Sequence, residues 1–184
     1  MCCNTKQKIA DVLRQQMMER PFEKITVQNL MDAANMKRQS FYYHFQDTRD
    51  VLMWICVQQL QKPLEQEQLC LREWLLCMME LLDQDRSFYR RALKAAYPEF
   101  VREFGLQVFR PKLAMQFFQT DRWETLDAQC QFVVDFASLS ATSWMVQFVQ
   151  RYQTLDREDA RQKLGCLLDT LNIQDDAVKI IRAC

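Results

Sequence analysis

The chain has 184 residues, of which two are glycine (Gly105, Gly165) and one is histidine (His44). So few glycines leave almost no positions for tight hairpin turns or phosphate-binding loops. A single histidine argues against two-histidine zinc sites and serine triads. Lysine plus arginine balances aspartate plus glutamate, 24 against 24, so the net charge does not point to nucleic acid. These counts predict an all-α protein with no metal or other cofactor.

Eight cysteines raise the possibility of a secreted disulfide scaffold. The N-terminus, however, reads as a polar amphipathic segment rather than a signal peptide. Most of the cysteines fall inside apolar helical patterns, where a free thiol acts as a small hydrophobic group. The longest apolar run, Val51–Val57, is far short of the ~20 residues that a membrane span needs. We therefore expect a soluble, cytoplasmic protein with reduced cysteines and no membrane partner.

In chain order, three short helices are predicted first, over residues 5–19, 27–34 and 37–45. Apolar side chains recur at helical spacing in each of them. Thr26 stands where an N-cap of the second helix is expected. Asn35 tolerates the left-handed conformation that a tight turn between helices requires. Three such helices with a short turn before the third match a helix-turn-helix.

A fourth helix is predicted to begin near Arg49, capped by Asp47 or Thr48. The segments that follow have longer helical patterns, predicted at 65–83, 86–95, 98–118, 123–153, 156–172 and a short tail from 174.

The third helix has the side chains of a DNA-recognition helix. No acidic residue lies between Asp32 and Asp47. Arginine can bind guanine and glutamine can bind adenine in the major groove, so Arg38 and Gln39 are the candidate base readers. Composition alone would equally allow a solvated amphipathic helix. The positions expected to be exposed are Lys37, Arg38, Gln39, Ser40, Tyr42, Tyr43 and His44.

Contacts to DNA phosphates are expected from the hydroxyl and ammonium groups of this helix and from its neighbours. Thr26, together with the free N–H groups of the second helix, forms one candidate phosphate site. Phe41 and Phe45, four residues apart, are expected to face inward and anchor the third helix.

The order of the residues is more informative about function than their composition. From Ile25 to Phe45 the chain reads ITVQNLMDAANMKRQSFYYHF and resembles the TetR family of transcriptional regulators. The run FYYHF followed by the Val-Leu pair at 51–52 is typical of that family, and the resemblance covers about residues 5–56. Trp54 and Ile55 add a resemblance to the subgroup that regulates dihydroxyacetone kinase operons.

Two positions depart from the family pattern. Asn35 replaces the usual glycine before the third helix, which its backbone tolerance allows. Thr48 replaces the lysine that usually contacts phosphate at the start of the fourth helix. Arg49 is therefore included among the candidate DNA contacts.

The resemblance implies a homodimer that places two recognition helices in successive major grooves of a palindromic operator. It implies a helix-turn-helix domain over residues 1–48 and a helical ligand-binding and dimerisation domain over 49–184. Double-stranded DNA, a second copy of the chain, and a small-molecule effector or co-regulator protein are the implied partners. The small residues within 137–143 of the long predicted helix agree with close helix approach in a dimer.

The predicted C-terminal helices also contain candidates for an effector site. The 86–95 helix has a basic patch made of Arg86, Arg90, Arg91 and Lys94. This patch could hold an anionic effector or could be a solvated face. Aromatic and methionine side chains at helical spacing could line a cavity or could be ordinary core; they are Trp54, Trp74, Met78, Tyr89, Phe104, Phe109 and Phe117.

Two alternative hypotheses about the function remain open. In one, the chain is an all-helical enzyme or stress protein that uses a thiolate of Cys2 or Cys184, which would need a lowered pKa and a neighbouring base. In the other, it is a dimeric interaction module that has lost DNA binding, for which Thr48 is the support. The adjacent pair Cys2-Cys3 could also sense oxidants. The leading prediction remains a DNA-binding regulator that is not an enzyme.

Overall fold

A computed structural model describes residues 2–61, 69–95, 98–151, 154–171 and 173. Within these ranges the chain is helical and contains no strand, which confirms the all-α prediction. The helices are α1 (Cys2–Glu19), α2 (Val27–Ala33), α3 (Arg38–Tyr42), α4 (Thr48–Cys56), α5 (Leu71–Gln84), α6 (Arg86–Ala95), α7 (Pro98–Phe118), α8 (Ala128–Gln150) and α9 (Arg157–Thr170). The predicted tail helix from 174 and the side chains of Cys2, Cys3 and Cys184 lie outside the described residues.

The turns between the first helices follow from local chemistry. The Thr26 hydroxyl accepts from the Asn29 backbone N–H at 3.1 Å, and the Asn29 side chain accepts from the Thr26 N–H at 3.0 Å. This reciprocal capping box begins α2 as predicted. Asn35 has φ 52°, so it adopts the left-handed conformation expected of it between α2 and α3.

The third helix is shorter than predicted. It begins at Arg38 and ends at Tyr42, whereas the apolar spacing indicated residues 37–45. The N–H groups of His44 and Phe45 both donate to the Phe41 carbonyl, so the last turn tightens before the chain leaves the helix. Phe41 and Phe45 are nevertheless buried, which confirms that they anchor this segment.

The fourth helix begins at Thr48, with Asp47 as its N-cap. It ends in a π-helical turn, Val57–Gln61, which the apolar pattern did not indicate. The predicted 65–83 helix begins partly in residues that are not described, and its described part begins at Leu71.

The prediction of a single helix over 123–153 is wrong. The chain forms a short 3-10 turn at Trp123–Thr125 and then α8, which ends at Gln150. Asp127 has an extended backbone and its carboxylate accepts from the Cys130 N–H at 2.8 Å. The cap starts a new helix at this point, although the apolar pattern continues across it.

One continuous core joins the N-terminal helices to the C-terminal helices, from Ile9 of α1 to Leu168 of α9. The most extensive packing is between α7 and α8. Gly105 of α7 and Thr142 of α8 approach so closely that a Cβ built on Gly105 would lie 1.9 Å from Thr142 Oγ1. Part of the small-residue stretch in α8 is therefore used for packing within the chain rather than for a partner.

The other side of α8 is not covered in this structure. Large apolar side chains along it are exposed: Phe132, Val133, Phe136, Leu139 and Trp144. By length and composition alone α8 is long and apolar enough to cross a membrane, although its opposite face packs on α7. The sequence-based expectation from uninterrupted apolar runs did not identify this segment.

Candidate nucleic-acid interface

Helix α3 is held on the protein by two phenylalanines and presents its polar side chains to solvent. Phe41 is fully buried, and its ring lies 5.8 Å from that of Phe45. Phe45 in turn makes an edge contact with Trp54 of α4, with ring centroids 6.1 Å apart. These contacts fix the orientation of α3 relative to the fourth helix. The candidate contact residues at exposed positions here are Lys37, Arg38, Gln39, Tyr42 and Tyr43, whereas Ser40 and His44 are half-buried.

Arg38 and Tyr42, one helical turn apart, form a pair on the surface of α3. Arg38 Nη2 donates to the Tyr42 hydroxyl at 3.1 Å, and the guanidinium carbon lies 5.8 Å from the Tyr42 ring centroid. The Tyr42 ring is itself set by an edge contact with Phe41. Arg38 is therefore positioned by a neighbour before any ligand is present.

Thr26 is exposed but its hydroxyl is already engaged. It donates to Asn29 Oδ1 at 2.8 Å and accepts from the Asn29 N–H. A phosphate could receive the Thr26 proton only if the bond to Asn29 were given up, because a hydroxyl has one proton to donate. Gln16 of α1 donates to the Asn29 carbonyl at 3.1 Å, which holds the start of α2 against α1.

The start of α4 carries its own carboxylates. Asp47 accepts from the N–H groups of Arg49 and Asp50 at 2.8 and 2.9 Å. Asp50 accepts from the Gln46 N–H at 3.0 Å. These bonds satisfy backbone donors that a phosphate would otherwise use. The Arg49 side chain lies exposed at this end of the interface.

Lys6 of α1 is a residue that the sequence reasoning missed. Its ammonium lies 5.5 Å from the centroid of the Phe45 ring, at the end of the recognition segment. Nothing in the local pattern around Lys6 indicates this contact, because it joins residues almost forty positions apart.

Comparison with known proteins identifies this arrangement. Residues 9–53 match the family described as bacterial regulatory proteins, tetR family. The match runs from the buried face of α1 through α2 and α3 into α4, which are the elements that build the interface. Residues 9–53 are therefore similar to the TetR family.

A curated relative is the HTH-type dhaKLM operon transcriptional activator DhaS of Lactococcus lactis subsp. lactis (strain IL1403). It is 26% identical over 89 residues, which are 47% of this chain and 48% of that protein. The alignment thus spans about half the length of the curated relative.

Two solved structures share the fold over almost the whole chain. The dihydroxyacetone kinase operon activator DhaS has a TM-score of 0.64 at 19% identity, covering 92% of this chain and 96% of that one. A protein of Syntrophomonas wolfei assigned to the TetR-family transcriptional regulators has a TM-score of 0.53 at 14% identity, covering 97% and 100%. These likenesses extend the TetR-like fold to the C-terminal helices.

Part of the basic patch on α6 is engaged in the protein's own structure. Arg86 donates to the carbonyls of Phe148 and Arg151, at 3.2 and 2.7 Å. Arg90 donates to the Val149 carbonyl at 2.9 Å. Cationic side chains at the carbonyl end of a helix satisfy orphan acceptors and complement the helix dipole. Arg86 and Arg90 therefore bind the C-terminus of α8. Their engagement there argues against the hypothesis that the basic patch binds an anionic effector.

Two of the described thiols, those of Cys56 and Cys130, also differ from what a cysteine enzyme needs. Burial raises the pKa of Cys56 to about 12, only partly opposed by the positive charge of Arg14. Desolvation and the neighbouring Asp127 also raise the pKa of Cys130. A nucleophilic cysteine needs a lowered pKa. Cys2 and Cys184, which the thiolate hypothesis names, have side chains outside the described residues.

Four of the seven candidate cavity residues line an apolar cavity between α4 and the helices of the C-terminal half. They are Met78, Tyr89, Phe104 and Phe109. Trp54, Trp74 and Phe117 are not among its lining residues; Trp54 packs on Phe45, and Trp74 makes an edge contact with Phe109. Among the residues described, no group of three or more His, Cys, Asp or Glu side chains could hold a metal ion.

Proposed function

We propose that this chain is a transcriptional regulator that binds a palindromic operator as a homodimer, through α3 of each copy. The observation that carries the proposal is the firmly anchored α3, which presents Arg38 and Gln39 at its exposed N-terminal end. The match of residues 9–53 to the TetR regulatory family supports it. Base readers near the N-terminus of a recognition helix are the usual geometry of helix-turn-helix proteins.

In the proposed complex, Arg38 reads guanine and Gln39 reads adenine in the major groove. Their neighbours Lys37, Ser40, Tyr42, Tyr43 and His44, together with Arg49, contact phosphates. We assign Thr26 first to capping α2, since a phosphate contact would cost its bond to Asn29. Residues 1–48 carry DNA binding, and residues 49–184 carry dimerisation and control, in the cytoplasm.

The proposed dimer uses α8 together with α9. Their uncovered apolar side chains include Phe132 and Phe136, whose rings stack 6.2 Å apart, and Leu167 and Leu171. Exposed apolar patches of this kind mark interaction surfaces. The proposal requires the recognition helices of the two copies to lie about 34–36 Å apart, one turn of DNA. The proposal includes control by a small effector or partner protein that favours one dimer conformation.

Selection of bound genomic fragments by the purified protein, at two salt concentrations, tests this function. We expect one palindrome with half-sites about a helical turn apart, and an affinity that falls steeply with salt as phosphate contacts are screened. Repeating the selection with cell extract tests for a required co-regulator. Absence of enrichment in both would contradict the proposal and favour the interaction module that has lost DNA binding.

Arg38→Ala should weaken binding to the cognate site by about 1–3 kcal/mol and relax the preference at one base pair. Arg38→Lys keeps the charge but loses bidentate geometry, so it should relax the same base pair. Arg91→Ala removes an exposed arginine from α6 and serves as the matched control. Fluorescence anisotropy with operators substituted at each position measures all three, and an equal loss on every sequence would assign Arg38 to phosphate alone.

A further inference from the structure

Lys6 of α1 is held against the residue that ends the recognition segment. Its ammonium lies 5.5 Å from the centroid of the Phe45 ring, within the range of a cation–π contact. Phe45 is itself fixed, because it is buried and packs on Phe41 and Trp54. Lys6 is half-buried, so its side chain samples fewer positions than that of a fully exposed lysine.

The ring leaves the hydrogen-bonding capacity of Lys6 unused. A lysine ammonium has three N–H donors, and an aromatic face attracts the charge without accepting these donors as an oxygen atom does. Within the part of the chain that the structure describes, no carboxylate pairs with Lys6, whereas Lys163 of α9 is paired with Asp159. Lys6 is thus a positioned cation whose donors are available to an anion.

The chain around Phe45 belongs to the proposed DNA interface. Tyr43, two residues before it, is 76% exposed. Asp47, two residues after it, accepts from two backbone N–H groups at the start of α4, which are then unavailable to a phosphate. The Asp47 carboxylate also repels DNA phosphates, which carry the same sign of charge. A cation beside Phe45 offsets this repulsion, and the segment that supplies it contains no acidic residue before Asp11.

We propose that Lys6 binds a phosphate of the DNA backbone, next to the base pairs that α3 reads. The inference rests on the proposed function, and it adds a contact from α1 to those expected from α3 and α4. The Phe45 ring positions the ammonium before DNA arrives, so binding costs less side-chain freedom than it would for an unrestrained lysine. Phosphates carry no sequence information, so this contact contributes affinity on every sequence and leaves base preference to Arg38 and Gln39.

Lys6→Met removes the charge and keeps an unbranched side chain, so it tests the contact directly. The full-length wild type and the variant are titrated with the palindrome recovered by genomic selection, at several salt concentrations. Each phosphate contact contributes about 0.9 to the slope of log affinity against log salt, so the slope of a dimer should become shallower by about 1.8. The affinity advantage of the wild type should therefore shrink about twelvefold between 50 and 200 mM salt.

Lys8→Met is the matched control, because it removes the same charge from an exposed position two residues further along α1. It should keep a slope close to that of the wild type. Lys6→Arg retains the charge and should keep the slope as well. Circular dichroism and thermal unfolding show whether each variant is folded, and Lys6→Gln replaces Lys6→Met if the methionine variant is not.

Operators with single neutral methylphosphonate linkages locate the contact. Each substitution removes the negative charge of one known phosphate and leaves the bases unchanged. We expect one position in each half-site at which the substitution weakens binding of the wild type several-fold but has little effect on Lys6→Met. Such non-additivity is expected of two groups in contact.

An unchanged salt slope in the folded charge-removing variant would overturn the proposal. A loss of stability or an altered base preference without a change in slope would assign Lys6 to holding Phe45 alone. Equal losses of wild type and variant at every methylphosphonate position would also overturn it. A wild-type protein that selects no operator, with or without cell extract, contradicts the proposed function itself, and this inference then fails with it.

Discussion

Cys56 illustrates how the position of one residue sets its chemistry. Its side chain is buried at the end of α4, and desolvation raises the pKa of the thiol to about 12. The charged group that acts on it is Arg14, which favours the thiolate. Burial also raises the pKa of the Tyr89 phenol, which therefore stays neutral. Arg14 is held by an ion pair with Asp85 at the turn between α5 and α6. Cys56 therefore acts as an apolar core residue at neutral pH.

The pKa of Cys56 predicts a loss of stability in alkali. Above the ordinary thiol pKa the unfolded chain releases a proton that the folded chain retains, so unfolding becomes more favourable as the pH rises towards 12. The Cys56 contribution falls by about 1.4 kcal/mol for each pH unit in that window. Tyr89 acts in the same direction at higher pH.

Urea unfolding of wild type and Cys56→Ala at pH 8 and 10.5, under reducing conditions, measures the effect. Cys56→Ala should be less stable at pH 8, and the difference should shrink by about 2 kcal/mol at pH 10.5. Cys166→Ala, at an exposed position of α9, should keep the wild-type pH dependence. A difference between wild type and Cys56→Ala that is the same at both pH values would show that the thiol is not buried in this way.

At the scale of helices, the two glycines serve different purposes. Gly105 allows α7 and α8 to approach, since a Cβ there would fall 1.9 Å from Thr142 Oγ1. Gly165 of α9 has room for a side chain, since a Cβ added there would lie 3.6 Å from Arg72 Cζ, an ordinary contact distance. Neither residue has a positive φ, so packing alone distinguishes them.

Gly105→Ala should destabilise the protein by about 1–3 kcal/mol, because the buried neighbour cannot move without separating the helices. Gly165→Ala should stabilise it by roughly 0.5–1 kcal/mol, since alanine is the better helix former. Adding Thr142→Ala to Gly105→Ala should recover part of the loss, a non-additivity expected of residues in contact. Thermal and urea unfolding of the two glycine variants, of Thr142→Ala and of the double variant decide this. Equal effects of the two glycine substitutions would contradict it.

Sequence predicted the parts of the fold that depend on neighbouring residues. The Thr26 cap and the left-handed Asn35 are set by side chains within a few positions. The end of α3 and the interruption at Asp127 were missed because the apolar pattern continues across both. Likewise, the Lys6–Phe45 contact arises only when distant segments pack together.

In the candidate site, too, sequence predicts the features that depend on neighbouring residues and misses those that depend on distant ones. The exposed polar positions of α3 follow from helical spacing once Phe41 and Phe45 are placed inward. That Arg38 is held by Tyr42 also follows a four-residue spacing. The engagement of Arg86 and Arg90 at the C-terminus of α8 could not be predicted, because it joins residues about sixty positions apart.

Across the whole molecule, α6 connects three regions. Its Phe88 packs beneath Arg14 of α1, and its Tyr89 lines the apolar cavity. Its Arg86 and Arg90 bind the carbonyl end of α8, the helix proposed to form the dimer. A displacement of α6 would therefore change its contacts with α1, in the DNA-binding half, and with α8, in the proposed dimer interface.

The uncovered face of α8 leads to a prediction about the oligomeric state of the protein. Phe136 is 65% exposed and stacks on Phe132, so the two rings present a continuous apolar surface. Two copies related by a two-fold axis would bury this surface against itself. Phe136→Glu would place an unpaired charge in that interface, and burying such a charge is strongly unfavourable.

We expect Phe136→Glu to convert the protein from a dimer to a monomer, while its helical circular dichroism stays unchanged. Met115→Glu, which puts the same charge at an exposed apolar position of α7, should remain a dimer. Light scattering after gel filtration gives the mass of each variant. The monomer should bind a palindromic operator no more tightly than a single half-site, because the second recognition helix is no longer linked to the first. If Phe136→Glu remains a dimer that prefers the full palindrome, the copies associate through another surface, and the exposed face of α8 has a different occupant.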